Sequence, residues 1–222
     1  MSNGIYGRAA TGLQDASWAV NESVAKIGAK GEQKTEMLLN GFAKKAAVLH
    51  DLRIPLPGFK ANIDHAVVSG KSVLLVDSKM WKPGFYWSLL GYRRGWEKAP
   101  HIGKSQEYVS TAMNSFLKGT GAKVLTPHLV VWSSRDGQPL STWMLNVPGA
   151  EVVNGLRIVP VMKSFVRGGS ADPVIVRRLQ ELLVRTPRPA RQQTASWSDS
   201  GQFAAPSRPA RPDVYADADP FA

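Results

Sequence analysis

Asn62-Ile63-Asp64-His65-Ala66-Val67-Val68-Ser69-Gly70-Lys71-Ser72-Val73-Leu74-Leu75-Val76-Asp77-Ser78-Lys79 is the stretch on which the fold turns. Two apolar runs rich in Val, Ile and Leu flank the polar connection Ser69-Gly70-Lys71-Ser72, which predicts two adjacent antiparallel strands. Val48 to Ile54, stopped by Pro55, supplies a third strand before them, so the expectation is a meander of three. Counting outward from Gly70 and Lys71, Asp64 lies six residues back and Asp77 six forward. That register sets two carboxylates opposite each other on neighbouring strands. Residues two apart on a strand share a face, so Lys79 projects with Asp77, while Ser78 faces away.

An Asp-x-Lys at a strand end is ordinarily a solvated ion pair. Here it follows Val73 to Val76, a continuous apolar run of the kind found in strands buried on both faces, where charge is costly unless it is exposed or used. Adjacent carboxylates repel, and a nearby cation relieves them. Carboxylate and carbonyl oxygens, including the backbone carbonyl of Ser78, suit magnesium. Lys79 on the same face is placed to position or deprotonate an attacking water, or to stabilise developing phosphate charge.

Around this hairpin the sequence resembles the nuclease-related domain family, a branch of the PD-(D/E)XK nuclease superfamily. The matching pieces are Gly31-Glu32 opening a helix, Val48-Leu49-His50-Asp51-Leu52, Ala61 to Val68, Val73 to Trp81, and a Gln-containing helix at Gln106. The resemblance spans roughly residues 30–184. It implies an α/β fold with a restriction-endonuclease-like αβββα core, a mixed central sheet flanked by helices. It also implies that Glu32 joins Asp64 and Asp77 around a divalent metal, Mg2+ or Mn2+, with Lys79 as the catalytic lysine and Gln106 lining the site. The activity implied is phosphodiester hydrolysis of DNA by a magnesium-activated water. The alternative is a non-catalytic, basic nucleic-acid-binding module on the same scaffold, recruiting DNA-maintenance partners through its tail; RNA as substrate stays open.

Composition agrees with an anionic partner. The chain has 222 residues, a net charge of +11 and no cysteine, which excludes disulfides, zinc–cysteine sites and cysteine nucleophiles. No signal-peptide pattern and no apolar run of about 20 residues is found, so a cytoplasmic protein is expected. After Lys79, residues 82–100 interleave aromatic and basic side chains without a clean period and read as a long loop or irregular hairpin. Lys82, Arg93, Arg94, Lys98 and Lys104 are the expected nucleic-acid contacts, with the tryptophans of this stretch mostly packing.

The remaining elements follow from periodicity. A short helix is expected over Asp15–Ile27, broken by Gly28. A second starts near Lys30 with Met37, Leu38 and Phe42 on its apolar face. Ser105–Leu117 reads as a helix burying Tyr108, Met113, Phe116 and Leu117. Pro127–Trp132, Ser141–Val147 and Leu156–Val161 read as strands, and Pro173–Val184 as a closing helix capped by Asp172. The domain is therefore bounded at 30–184, with residues 1–29 as a partly helical extension.

Residues 185–222 hold six of the fifteen prolines and no Leu, Ile, Met or Lys, a composition expected to be disordered. The tip Asp217-Ala218-Asp219-Pro220-Phe221-Ala222 is similar to the acidic Pro-Phe ends of bacterial single-stranded-DNA-binding proteins. A protein partner for it is one expectation and a plain disordered end the other. Gly70-Lys71-Ser72 and Gly103-Lys104-Ser105 lack the upstream glycine of a P-loop, since His65 and Lys98 stand there. The four histidines lack metal-ligand spacing, and His65, next to Asp64, points to the opposite strand face.

Overall fold

The computed structural model describes residues 2–10, 22–59, 61–99, 102 and 107–184. Most of the leader helix expected over Asp15–Ile27, as well as Lys104, Gln106 and the tail 185–222, lies outside the described residues.

The three-stranded meander is present as β2 (Ala47–Arg53), β3 (Asn62–Ser69) and β4 (Ser72–Trp81). Ser69 pairs with Ser72 across a two-residue turn in which Gly70 has φ +55°, a value that only glycine adopts without strain. Because Ser69 pairs with Ser72 and His65 with Val76, Asp64 and Asp77 fall opposite each other where the β3–β4 ladder ends, in the register counted from the turn. β1 (Gly4–Tyr6) adds in parallel outside β2. On the other side β9 (His128–Ser133) pairs in parallel with β4, and β11 (Glu151–Asn154) with β9. The short β8 (Lys123–Val124) joins the first residues of β4. Parallel neighbours need long crossovers, and the segment between β4 and β9 is one. The result is a mixed sheet with β4 in its interior.

Alternation along β4 sends its side chains to two separate cores. Leu74 and Val76 pack with Leu39 of α1 (Glu22–Asn40) and with Ile158 and Met162 of α3 (Ile158–Phe165). Val73 and Leu75 pack on the other face with Met113 of α2 (Glu107–Phe116) and Ile175 and Leu179 of α4 (Pro173–Gln180). Further along that second face, Trp81 joins Leu129 and Val131 in a third cluster. Helices therefore cover both faces of a mixed sheet, as the resemblance implied.

Several local expectations are corrected. Gly28 does not break a helix: α1 runs through it to Asn40. What holds α1 is the inward row Gly31, Thr35 and Leu39, at successive intervals of four. Gly31 is there for close approach, since a Cβ would stand 2.8 Å from Met80 Cγ. Met37 is 72% exposed, so the apolar face is turned from the one expected; Leu38 and Phe42 do pack against the core.

Leu156–Val161 is not a strand. Leu156 and Arg157 belong to a short 3-10 turn begun by the Asn154 side chain accepting from Leu156 N–H, and Ile158, Val159 and Val161 belong to α3. Pro160 sits in the first turn of α3, where its missing N–H costs nothing. Tyr108 is exposed and lies against Phe59, while Val109 and Ala112 take the buried positions. Asp172 caps α4 as expected, accepting from the N–H groups of Val174 and Ile175.

Residues 82–100 are more regular than their sequence suggests. β5 (Gly84–Trp87), β6 (Arg93–Arg94) and β7 (Glu97–Lys98) form a second sheet with β10 (Leu140–Met144), in the order β10-β5-β6-β7. Tyr86, Leu140 and Leu145 bury themselves in the third cluster with Trp81. The tryptophans of this stretch do not mostly pack: Trp87 is half-buried and Trp96 is 90% exposed, while Trp81, just before it, is buried.

Candidate active site

Asp64, Asp77 and Lys79 meet where the β3–β4 ladder ends, between the second and third apolar clusters. Asp64 Oδ2 accepts from Ser78 N–H at 2.6 Å, so the side chain takes over the pairing that the backbone of β3 no longer supplies. Lys79 Nζ is 2.7 Å from Asp77 Oδ1 and 3.5 Å from the Ser78 carbonyl. The second oxygen of Asp77, Oδ2, is buried and has no hydrogen-bond partner. An orphaned carboxylate oxygen costs free energy in a folded chain, and a cation is one partner that would relieve it.

Glu32 comes from α1. Its Oε2 accepts from Ala10 N–H at 3.0 Å, and Glu36 of the next turn accepts from Ala9 N–H at 3.3 Å. The segment after β1 thus docks on the acidic side of α1. Burial pushes the Glu32 carboxyl up from 4.5 to about 7; Lys79 and the Ala10 N–H oppose the rise, while Asp51 and Asp77 add to it. Asp64 stands well above the usual carboxylate range, first through burial and then through the charges of Asp77 and Glu32. Burial disfavours the Lys79 ammonium, but Asp77, Asp64 and Glu32 outweigh it and raise its pKa. The four expected residues therefore form one electrostatic unit in which negative charge is under-compensated.

The structure adds a residue to which the sequence assigned no role. Asp51 has φ +56°, interrupts the β2–β3 ladder between the His50–His65 and Leu52–Ile63 pairs, and is buried. Asn62 Nδ2 donates to its Oδ1 at 2.8 Å. A non-glycine residue in the left-handed region is the structural signal here; nothing in the residues Val48 to Leu52 announces it.

On the reverse face of β4, Ser78 enters a buried polar chain. Its Oγ is 2.9 Å from Thr35 Oγ1 and 3.3 Å from His65 Nε2. His65 Nδ1 lies 2.8 Å from His50 Nδ1, and His50 Nε2 lies 2.9 Å from Asn40 Oδ1. Burial lowers the His50 pKa to about 4; burial and then His50 hold His65 well below its usual value. Two neutral rings with facing Nδ1 atoms require one to donate and the other to accept, so the two tautomers are linked. Thr35 Oγ1 also accepts from Trp132 Nε1 at 2.9 Å. His65 is thus a packing and hydrogen-bonding residue, facing away from Asp64 as its position predicts.

Thr35→Val keeps the shape of this fully buried side chain but leaves Trp132 Nε1–H without its acceptor and the Ser78 hydroxyl with one partner fewer. We expect a loss of about 1–3 kcal/mol in urea unfolding. A loss below about 0.5 kcal/mol would mean that the chain does not hold α1 against β4.

The expected nucleic-acid contacts are divided. Arg93 and Lys98 pair across β6 and β7 on one face. Arg94 occupies the opposite face, ion-paired with Glu97. Lys82 is exposed just past the end of β4.

No curated protein and no solved structure matches the chain. Residues 27–133 match the nuclease-related domain. That span contains Glu32, Asp64, Asp77 and Lys79, so the segment that carries the site is similar to the nuclease-related domain family.

Proposed function

We propose that this protein is a metal-dependent nuclease hydrolysing phosphodiester bonds of DNA. The observation that carries the reading is the meeting of Asp64, Asp77 and Lys79 at one strand end, within electrostatic reach of Glu32 from α1, with Asp77 Oδ2 buried and unpartnered. Glu32, Asp64, Asp77 and the Ser78 carbonyl are hard oxygen donors that would hold magnesium or manganese. Such an ion, when bound, neutralises phosphate charge and acidifies a coordinated water.

The chain's own residues set the rest. With its pKa raised, Lys79 stays an ammonium at neutral pH, which suits it to donate to a phosphate oxygen rather than to remove a proton. Among the described residues no three His, Cys, Asp or Glu side chains stand together as a ready metal cluster. Glu32 Oε2 is held by Ala10 N–H and Asp77 Oδ1 by Lys79, so these contacts compete with a cation for those two oxygens. The test is cleavage of labelled plasmid and linear DNA with magnesium or manganese. Wild-type protein that cuts neither, and neither RNA nor single strands, would overturn the reading.

A second reading has one observation behind it. Glu32 engaged by the N-terminal segment is what a scaffold kept for binding alone would show, with basic side chains holding DNA and the tail recruiting a partner. A titration in which neither metal binds would decide for it.

Protons and metal compete for Glu32. A carboxyl whose folded pKa exceeds its unfolded value stabilises the fold at low pH, and that contribution is lost as pH rises through the folded pKa. For Glu32 the window runs from 4.5 to about 7. Metal-free protein should lose stability across it, and the rise in melting temperature on adding magnesium should grow toward pH 8. A magnesium effect equal at about pH 5.5 and pH 8 would show that Glu32 takes no part.

A further inference from the structure

The second sheet turns its inner face, with Tyr86 and Leu140, into the third apolar cluster. Alternation then sends Phe85 and Trp87 of β5 to the outer face. Trp143 of β10 reaches the same face: its ring centroid is 5.7 Å from that of Phe85, and it is 77% exposed. Arg93, paired with Trp87 across β5 and β6, lays its guanidinium 5.7 Å from the Trp87 ring centroid. Lys98, paired with Arg93, carries the row onto β7. Trp96, in the turn joining β6 and β7, is 90% exposed.

The row therefore crosses all four strands from rings at one edge to cations at the other. An exposed tryptophan in one row with two half-buried rings is an apolar surface that is costly with nothing to bind. Water-facing rings accept the faces of unpaired bases, and cations at their edge accept phosphates; a duplex, whose bases are already stacked, uses only the cations. β5 follows β4, the strand of Asp77 and Lys79, after two residues, so the row and the candidate active site stand on consecutive strands.

We propose that the outer face of the β10-β5-β6-β7 sheet is a binding platform for unpaired nucleotides, with bases stacked on Phe85, Trp87 and Trp143 and phosphates held by Arg93 and Lys98. This rests on the nuclease reading in naming the strand state of the substrate, not in needing cleavage. Stacking does not depend on the 2′-hydroxyl, so oligo-dT and oligo-U are both probes.

The test is fluorescence anisotropy of labelled oligo-dT, oligo-U and a mixed-sequence duplex with full-length protein in EDTA, where nothing is cut. Trp143→Ala and Phe85→Ala should each weaken single-strand binding about 5- to 100-fold and leave the duplex within about 2-fold. Trp143→Phe should restore most of the loss. Arg93→Gln with Lys98→Gln should weaken both and flatten the salt dependence. Circular dichroism and melting temperature check that the variants are folded.

Equal binding of single strands by wild type and Trp143→Ala would overturn the platform. So would single-strand binding unchanged in the variants while sedimentation shifts from dimer to monomer, which would reassign the face to self-association. Binding without any cleavage in magnesium would leave the platform standing and sink the nuclease reading. Cleavage with no effect of the aromatic variants would do the reverse.

Discussion

Asp77→Asn should abolish magnesium-dependent cleavage, lowering the rate by about 1,000-fold or more, while leaving the fold and DNA binding intact. Asparagine has nearly the same shape and keeps one oxygen, so the packing between the two apolar clusters is preserved. What it removes is the charge at the centre of the site. Asp77 pairs with Lys79 at 2.7 Å, raises the pKa values of Asp64 and Glu32, and presents the buried, unpartnered Oδ2. Losing that charge removes the strongest electrostatic reason for a divalent cation to bind. Rates should be measured over a magnesium and manganese series, because a weakened site recovers with excess metal and a dead one does not. A variant keeping more than about a tenth of wild-type activity at saturating metal would show that Asp77 is not at the reacting centre.

Asp64→Asn should separate stability from function. The carboxyl of Asp64 is held well above its usual range by burial and by Asp77 and Glu32, against the pull of Lys79 and the Ser78 N–H. Its ionised form is therefore a burden on the metal-free fold at neutral pH. The asparagine oxygen can still accept from Ser78 N–H, which lies 2.6 Å from Oδ2. We expect the metal-free variant to be more stable than wild type by about 1 kcal/mol, or ~2–4 °C in melting temperature, with cleavage lost.

The sign follows from the raised folded pKa: the gain should be present above it and vanish below the unfolded value near 3.8, where both states carry the proton. Magnesium should raise the melting temperature of wild type and not of the variant. A variant less stable than wild type at neutral pH would mean that the Lys79 attraction outweighs the repulsion, and the site would not be under-compensated.

The hairpin and its register were legible because the information is local. A two-residue turn with glycine at φ +55° fixes which residues face each other, and alternation does the rest. Asp64, Asp77 and Lys79 could therefore be placed together by counting. Glu32 could not: it arrives from a helix, and the family resemblance supplied it. Gly28 and the Leu156–Val161 segment were misread because glycine and β-branched residues carry only weak local preferences, which the packing of α1 and α3 against the sheet overrides.

The sequence by itself determined the meander, the opposed carboxylates, the lysine on their face and the cap of α4, all set by neighbours in the chain or by strict period. Only the tertiary structure decided that β4 is an interior strand, that Ala10 engages Glu32, that Asp51 sits beside the site, and that Trp143 joins Phe85 on one open face. Each of these joins residues from separate elements. Such contacts are chosen by the burial of whole faces rather than by local preference, and no local pattern encodes them.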